Sequence, residues 1–344
     1  MTMGRWRARG QEHVTRVLSD ALRQGRLAHA LLLVGPPHVG KMTLAMDLAR
    51  AVNCLGQDPP CGTCAQCQRV ERGLHADVQV IGPRGEEEGR RTRWEISIEQ
   101  VRALEHTAAL KPYEGRCRVF ILDGVERLSA AAANALLKTL EEPPEQVLLV
   151  LLAAREERLP PTLPSRCQRL ELRPLPVREV EAAMLREYGL APDRARLVAR
   201  LSRGLFGWAM AASTDPNVLE QRDEDLRRLH RVVAGGLEER FQCAQELATR
   251  FGRERDKVLE TLGLWLSWWR DVLMVQERAP ELVVHWDQRG ELGRQARRWT
   301  AEEARQGLRE LVLTLERLEH NANPRMALDV LMLALPPPAL ARTP

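Results

Sequence analysis

Lysine is nearly missing from this 344-residue chain. Of 51 basic residues only four are lysine, at positions 41, 111, 138 and 257, so a lysine inside a motif stands out. Arginine carries the remaining positive charge, a bias that genome composition or heat adaptation would produce equally well. No stretch approaches the roughly 18 uninterrupted apolar residues of a membrane-spanning helix. The N-terminal MTMGRWRARG is basic but lacks the apolar and cleavage regions of a secretion signal, so a cytoplasmic location is the expectation. A strong charge imbalance is also missing. The 51 basic and 47 acidic residues leave a formal +4, too mild to mark a nucleic-acid binder, although a local patch stays open. Internal repeats are absent. The length suits two or three domains, and 44% hydrophobic content is that of an ordinary globular protein.

Residues 1–170 carry α/β signals. Apolar strands are expected at 30–34, 78–81, 118–122 and 147–153, alternating with helices. One helix follows Lys41 through LAMDLARAV. Another begins at Ser97, with Gln100 completing a capping box. A third begins near Ser129 and runs AAAANALLKTLEE until Pro143-Pro144 stop it. Strands joined by helices make an open parallel sheet, which binds ligands at the carboxyl ends of its strands. The segment GPRGEEEGRRTR at 82–93 reads as a charged loop. After Pro174 and Pro176 the composition shifts: 177–211 reads as a small helical unit, and 215–333 shows only helical periodicity.

Residues 31–43, LLLVGPPHVGKMT, run an apolar strand into Gly35 and then Gly40-Lys41. In such a loop backbone amides cradle phosphate oxygens and the lysine reaches the outer phosphates. The bland alternative is a chance Gly/Pro turn. The usual loop has Ser or Thr after the lysine; here Met42 stands there, and a thioether does not replace a hydroxyl on magnesium. Thr43 is one residue late and rotated by about 100° on a helix, which makes it a poor substitute. His38 stands where a small residue fits more easily. The strand RVFILDG ends in Asp123, which either orients a metal or merely caps a turn. Gly124 follows it where an acidic general base is expected, and Glu126 lies two residues further along the turn. The strand VLLVLLAAREERL ends in Ala153-Ala154, with no polar group to sense a terminal phosphate. Metal ligand, base and sensor are missing together, which argues against hydrolysis by this chain.

Cys54, Cys61, Cys64 and Cys67 are spaced C-x6-C-x2-C-x2-C, with turns supplied by Pro59-Pro60 and Gly62. Four thiolates at this spacing suit a tetrahedral, closed and therefore structural zinc site. Redox chemistry or an iron–sulfur cluster is the alternative. Cys117, Cys167 and Cys243 lie outside the cluster and read as ordinary thiols. Arg166, in PPTLPSRCQR, follows a Pro-anchored turn. It either forms a surface ion pair or stabilises a phosphoryl group held by another subunit. Trp265, Trp268 and Trp269 share a helix face and read as core or subunit interface before a base-stacking platform. His29 and His75 read as structural.

HALLLVGPPHVGK, the four-cysteine insert, LSAAAANALLKTLEEPP and LPPTLPSRCQRLELRPLP together resemble the bacterial DNA polymerase III clamp-loader family. The similarity extends to LSWWRDVLM and NANPRMALDVLML, and so spans nearly the whole chain. The resemblance implies an AAA+ P-loop domain over 1–172 with a zinc insert at 54–67. It further implies a helical lid at 173–212, a helical oligomerising collar at 213–335 and a loose tail at 336–344. It makes Lys41, Gly35, Gly40 and Asp123, with Thr43 beside them, a vestigial or weak ATP/ADP site, and Cys54, Cys61, Cys64 and Cys67 the zinc ligands. Arg166 becomes a residue acting in trans. Met42, Gly124, Ala154 and Gly207 depart from the active members and match the delta-prime branch, which does not hydrolyse ATP, better than gamma/tau. The implied partners are gamma/tau and delta subunits, the sliding clamp and primed DNA. An active gamma/tau-like ATPase and a zinc-containing DNA-binding scaffold are the competing functions.

Overall fold

Strands that are apolar on both faces belong inside a helix-covered parallel sheet, and the computed structural model has one. It describes residues 5–88, 91–320 and 322–336. The expected tail therefore lies, beyond Pro336, outside the described residues, as do Gly89 and Arg90 of the charged segment. The chain divides into two compact units, Met1–Pro176 with Gly204–Trp208, and Val177–Arg203 with Ala209–Pro344.

The first unit runs α1 (Glu12–Arg23), β1 (Ala30–Val34), α2 (Lys41–Val52), α3 (Ala65–Glu71), β2 (Val78–Ile81), β3 (Arg84–Glu88) and β4 (Arg91–Glu95). It continues with α4 (Ile98–Ala108), β5 (Arg118–Asp123), α5 (Ala130–Glu141), β6 (Val147–Ala153) and β7 (Gln168–Glu171). The sheet order is β2-β5-β6-β1-β7, and every pairing is parallel. Period-two alternation sends Leu31, Leu33, Val119, Ile121 and Val150 to the face covered by α1 and α2. Leu32, Val34, Phe120, Leu122 and Leu149 go to the face covered by α4 and α5. Ser129 caps α5, its side chain accepting from Ala132 N–H. Ser97 N–H donates to Gln100 Oε1 at the start of α4. This is the helix-covered open parallel sheet that the apolar runs and intervening helices imply.

Two elements depart from expectation. β7 is an edge strand of sequence QRLE in which only Leu170 is buried, too short and polar to show periodicity. The charged segment is a hairpin, β3 against β4. Its register sets Glu86 opposite Arg93 and Glu88 opposite Arg91.

The second unit is helical: α6 (Val177–Arg186), α7 (Pro192–Ser202), α8 (Phe206–Thr214, whose first turn belongs to the first unit), α9 (Pro216–Ala234) and α10 (Leu237–Phe251). It continues with α11 (Arg255–Gln276), α12 (Arg289–Arg298), α13 (Ala301–Glu319) and α14 (Pro324–Ala334). α11 is its axis. Trp265, Trp268 and Trp269 are all fully buried in the core, as core residues rather than a stacking platform would be. Trp265 Nε1 donates to Asp225 O at 3.0 Å and Trp268 Nε1 to Gln295 Oε1 at 2.7 Å. Gly307 lets α13 approach, since a Cβ there would lie 3.3 Å from the Trp269 ring. Among the described residues no helix is long and apolar enough to cross a membrane.

His285 in this unit is 1% exposed, and Arg222 Nη2 faces its Nδ1 at 2.9 Å, which selects the neutral ring. Burial first, then the charges of Arg222, Arg203 and Arg270, hold its pKa down to about 3. An unfolded imidazole titrates near 6.5, so below that pH the unfolded chain binds a proton that the native chain refuses. The stability is complete above pH 6.5 and is lost as pH falls toward 3. Between pH 6.5 and 5 the loss is about 2 kcal/mol. Thermal unfolding at pH 7 and pH 5 should show this loss in the wild type and a smaller one in His285→Gln. Equal losses in both would remove His285 as the cause.

Candidate functional site

The carboxyl ends of β1, β5 and β6 meet in one place. Gly35 N–H donates to Ala153 O and Gly124 N–H to Leu152 O, both at 3.1 Å. Gly35 has no room for a side chain, because a Cβ would lie 2.6 Å from Leu172 O. Gly40 sits at φ +107 as the N-cap of α2. His38 adopts the left-handed region at φ +62 and is exposed. That conformation costs a non-glycine residue about 1 kcal/mol. Its side chain thus stays out of the loop, and its carbonyl accepts from Gly207 N–H at 3.0 Å.

Lys41 opens α2, and its Nζ donates to the carbonyls of Gly35 and Pro36 in its own loop. Burial lowers its pKa, while the carboxylates of Glu126 and then Asp123 act against the shift. The structure thus brings together Gly35, Gly40, Lys41 and Asp123 as the motifs anticipate. Thr43 is not part of this group; it lies on the exposed side of α2. Met42 points the other way and packs against the core under the sheet.

Glu126, two residues beyond Gly124, is carried back toward the strand ends by the local turn. Gly124 at φ +74 starts a 3-10 turn, Val125–Arg127, that folds the chain back. The Glu126 side chain returns to the end of β6, where its Oε1 accepts from Ala154 N–H at 3.1 Å. The signal that could have located it is the glycine itself, which permits so tight a return.

At the opposite end of the sheet lies Arg166, in a 3-10 turn, Pro164–Arg166. Register fixes its distance from the phosphate loop. β7 pairs Gln168 with Leu31 and Glu171 with Val34, so Arg166 precedes the strand's amino end while Gly35 follows the carboxyl end. A strand's length, roughly 15 Å or more, separates them. Arg166 Nε donates to Glu141 Oε1 at 2.7 Å and Nη1 to Thr162 O at 3.0 Å. This is the surface ion pair of the bland reading, with Glu141 at the end of α5 as its partner. A half-exposed pair of this kind contributes about 0–1 kcal/mol, so a phosphate would readily displace the carboxylate.

The cysteine cluster is also remote from the phosphate loop, beyond the far end of α2. Cys54 and Cys67 are buried, and all four cysteines are free thiols. Their Sγ atoms lie within 4.8 Å of one another, against about 3.8 Å between sulfurs in an ideal zinc tetrahedron. Amides of Gly56 and Cys61 each donate to Cys54 Sγ at 3.3 Å, and Cys64 N–H to Cys61 Sγ at 3.3 Å. Amide donors of this kind stabilise thiolate charge, so the donor set fits a metal ion. At Cys61 burial raises the pKa, but amide bonds from Thr63 and Cys64 outweigh it and bring the thiol to about 6. Cys64 is also lowered, while burial raises Cys54 and Cys67 despite their backbone hydrogen bonds. Burial pushes Cys117 up to about 12 and Cys167 and Cys243 to about 11, which leaves them inert. His29 and His75 are structural: Nε2 of His29 bonds Leu140 O at 3.0 Å, and Nδ1 of buried His75 accepts from Asp77 N–H at 3.1 Å.

The family described as DNA polymerase III, delta subunit matches residues 10–176, the whole segment that carries these features. Those residues belong to the DNA polymerase III clamp-loader family. Similarity runs further than that segment. The Bacillus subtilis (strain 168) DNA polymerase III subunit delta' is 28% identical over 326 residues, covering 94% of this chain and 96% of that relative. The Escherichia coli (strain K12) subunit tau is 33% identical over 278 residues, covering 74% of this chain but 42% of its own length. A gamma subunit-related protein of solved structure from Thermotoga maritima aligns over 92% of this chain and 97% of its own, with TM-score 0.47 and 20% identity.

Purified chain should carry about one zinc per polypeptide by elemental analysis. Cys61→Ser should lose most of it and unfold at a lower temperature. Iron with a visible charge-transfer band would instead identify an iron–sulfur cluster.

Proposed function

We propose that this chain is a non-hydrolysing, delta-prime-like subunit of the replicative clamp loader, which supplies Arg166 to the ATP site of a neighbouring subunit. The observation that carries this reading is the register of β7 on β1. It puts Arg166 a full strand length from the chain's own phosphate loop, where it has no access to a nucleotide held by Lys41. An arginine displayed at the opposite end from the loop is usable only by another subunit.

The state of the chain's own loop supports the same reading. Met42 supplies no hydroxyl for magnesium, Gly124 no base and Ala154 no sensor side chain. Gly207 leaves no guanidinium over the loop. In the assembly we propose, residues 1–172 form the AAA+ domain, 173–212 the lid and 213–335 the oligomerising collar. The partners are gamma/tau and delta subunits, the sliding clamp and primed DNA. The four cysteines hold a structural zinc, which brings no open coordination position to the chemistry.

Arg166 itself would act on charge developing in the transition state, so it contributes to turnover more than to assembly. Its guanidinium fork can leave Glu141 and bond two oxygens of a transferring phosphoryl group. A lysine would bring charge without that fork. In a complex reconstituted with candidate ATPase and clamp-opening subunits, Arg166→Ala should lower DNA-dependent ATPase by roughly a hundredfold or more. The complex should still assemble, and Arg166→Lys should recover little of the rate. Unchanged turnover in Arg166→Ala would sink the trans role. Magnesium-dependent hydrolysis by the purified chain, abolished by Lys41→Ala, would replace it with an active motor.

A further inference from the structure

Glu126 has no part in the trans role, yet its side chain reaches the end of β6, one of the strands whose carboxyl ends meet at the phosphate loop. Its Oε1 takes the Ala154 N–H at the end of β6, 3.1 Å away. Its Oε2 is buried and has no hydrogen-bond partner. It is the first carboxylate acting on Lys41, ahead of Asp123. Lys41 in turn spends its ammonium protons on the Gly35 and Pro36 carbonyls. Two groups that could greet a terminal phosphate here, the lysine ammonium and the strand-end amide, already have partners within the protein.

We infer that Glu126 is the residue that excludes nucleoside triphosphates from this loop, its carboxylate standing as an internal anion on the Ala154 amide at the end of β6. This rests on reading the loop as a former nucleotide site, and it adds the determinant. The loop's backbone still has the form of an anion nest: Gly35 and Gly40 keep their special conformations, and His38 bears the strain of φ +62 with its side chain directed away. Loss of the magnesium ligand at Met42 explains missing turnover, but it does not by itself prevent phosphate from entering. A fixed negative charge does. It repels the most highly charged end of the nucleotide in a partly buried setting, where water screens weakly.

The reach of Glu126 depends on two neighbours. Gly124 in the left-handed region lets the turn fold back, and the alanine at 154 leaves space for the carboxylate above its amide. The same turn therefore deletes the expected base at 124 and installs the blocking charge at 126. The effect should grow with ligand charge, so ADP should be excluded less than ATP.

The test is equilibrium binding of fluorescent ATP and ADP analogues to the full chain, with and without magnesium. Wild type should bind ATP weakly. Glu126→Gln keeps an oxygen for the Ala154 amide, and Glu126→Ala frees that amide; each should bind ATP at least tenfold more tightly. The gain should be larger for ATP than for ADP and should vanish on adding Lys41→Ala. Circular dichroism and thermal midpoints near wild type establish that the variants are folded. Folded variants that bind ATP no better than wild type would overturn the inference, as would tight ATP binding by the wild type itself. Neither result touches the Arg166 role, which is read separately from partner turnover in the reconstituted complex.

Discussion

Parallel pairing is the constraint on which the rest of the molecule depends. β1 is hydrogen-bonded to β6 on one side and β7 on the other, all three running the same way. That direction gives the sheet two chemically different ends. Backbone amides and the start of α2 gather at the carboxyl end, a place suited to anions. The returning helices deliver their C-termini to the other end, and with them come the cysteine cluster after α2 and Glu141 after α5. Arg166, just before β7, belongs to that second end. Lys41 and Arg166, 125 positions apart in sequence, are thus assigned to separate surfaces by one pattern of strand pairing.

The buried polar groups of the first unit hold the far end in shape. Asp77 is fully buried and accepts backbone N–H bonds from Tyr113, Glu114 and Gly115 at 2.7–2.8 Å. Burial raises its pKa, but these bonds and the Arg118 charge outweigh it and keep the carboxyl below its usual range. Asn53, at the end of α2, accepts from Arg116 and Cys117 N–H at 2.8 and 2.9 Å. The loop entering β5 is therefore pinned from two sides beside the cysteines. A zinc there would join a loop already pinned by these backbone hydrogen bonds and would not have to create order alone.

Much of this was legible in the sequence, for identifiable reasons. Strands buried on both faces read as unbroken apolar runs, so β1, β5 and β6 have the expected starts, and the partly exposed edge strand β2 also begins where expected. Ser97, Ser129 and the Pro143-Pro144 stop mark helix ends by local chemistry alone. β7 escaped because an edge strand of four residues buries one side chain, and the β3–β4 hairpin because its pattern is one of charge and not of hydrophobicity. At the site, identities were readable and reach was not. Lys41 and Asp123 follow from position on the chain. The return of Glu126 depends on a positive φ at Gly124, and the pairing of Arg166 with Glu141 on two elements meeting at a sheet edge.

The four residues that the proposed function reads as departures from a working phosphate site each have structural ties, which bears on whether they are separable. Met42 packs into the core, so exchanging it for a short hydroxyl residue removes buried apolar volume. A glutamate at 124 would have to adopt φ +74, a strained conformation for any residue with a Cβ. At 207 a Cβ would meet His38 O at 2.9 Å, so an arginine there would push on the loop it is meant to serve. A polar side chain at 154 would compete for the place already taken by Glu126. Each reversal disturbs a packing contact, a dihedral or a hydrogen bond that the present structure uses. Restoring one residue therefore does not restore a site.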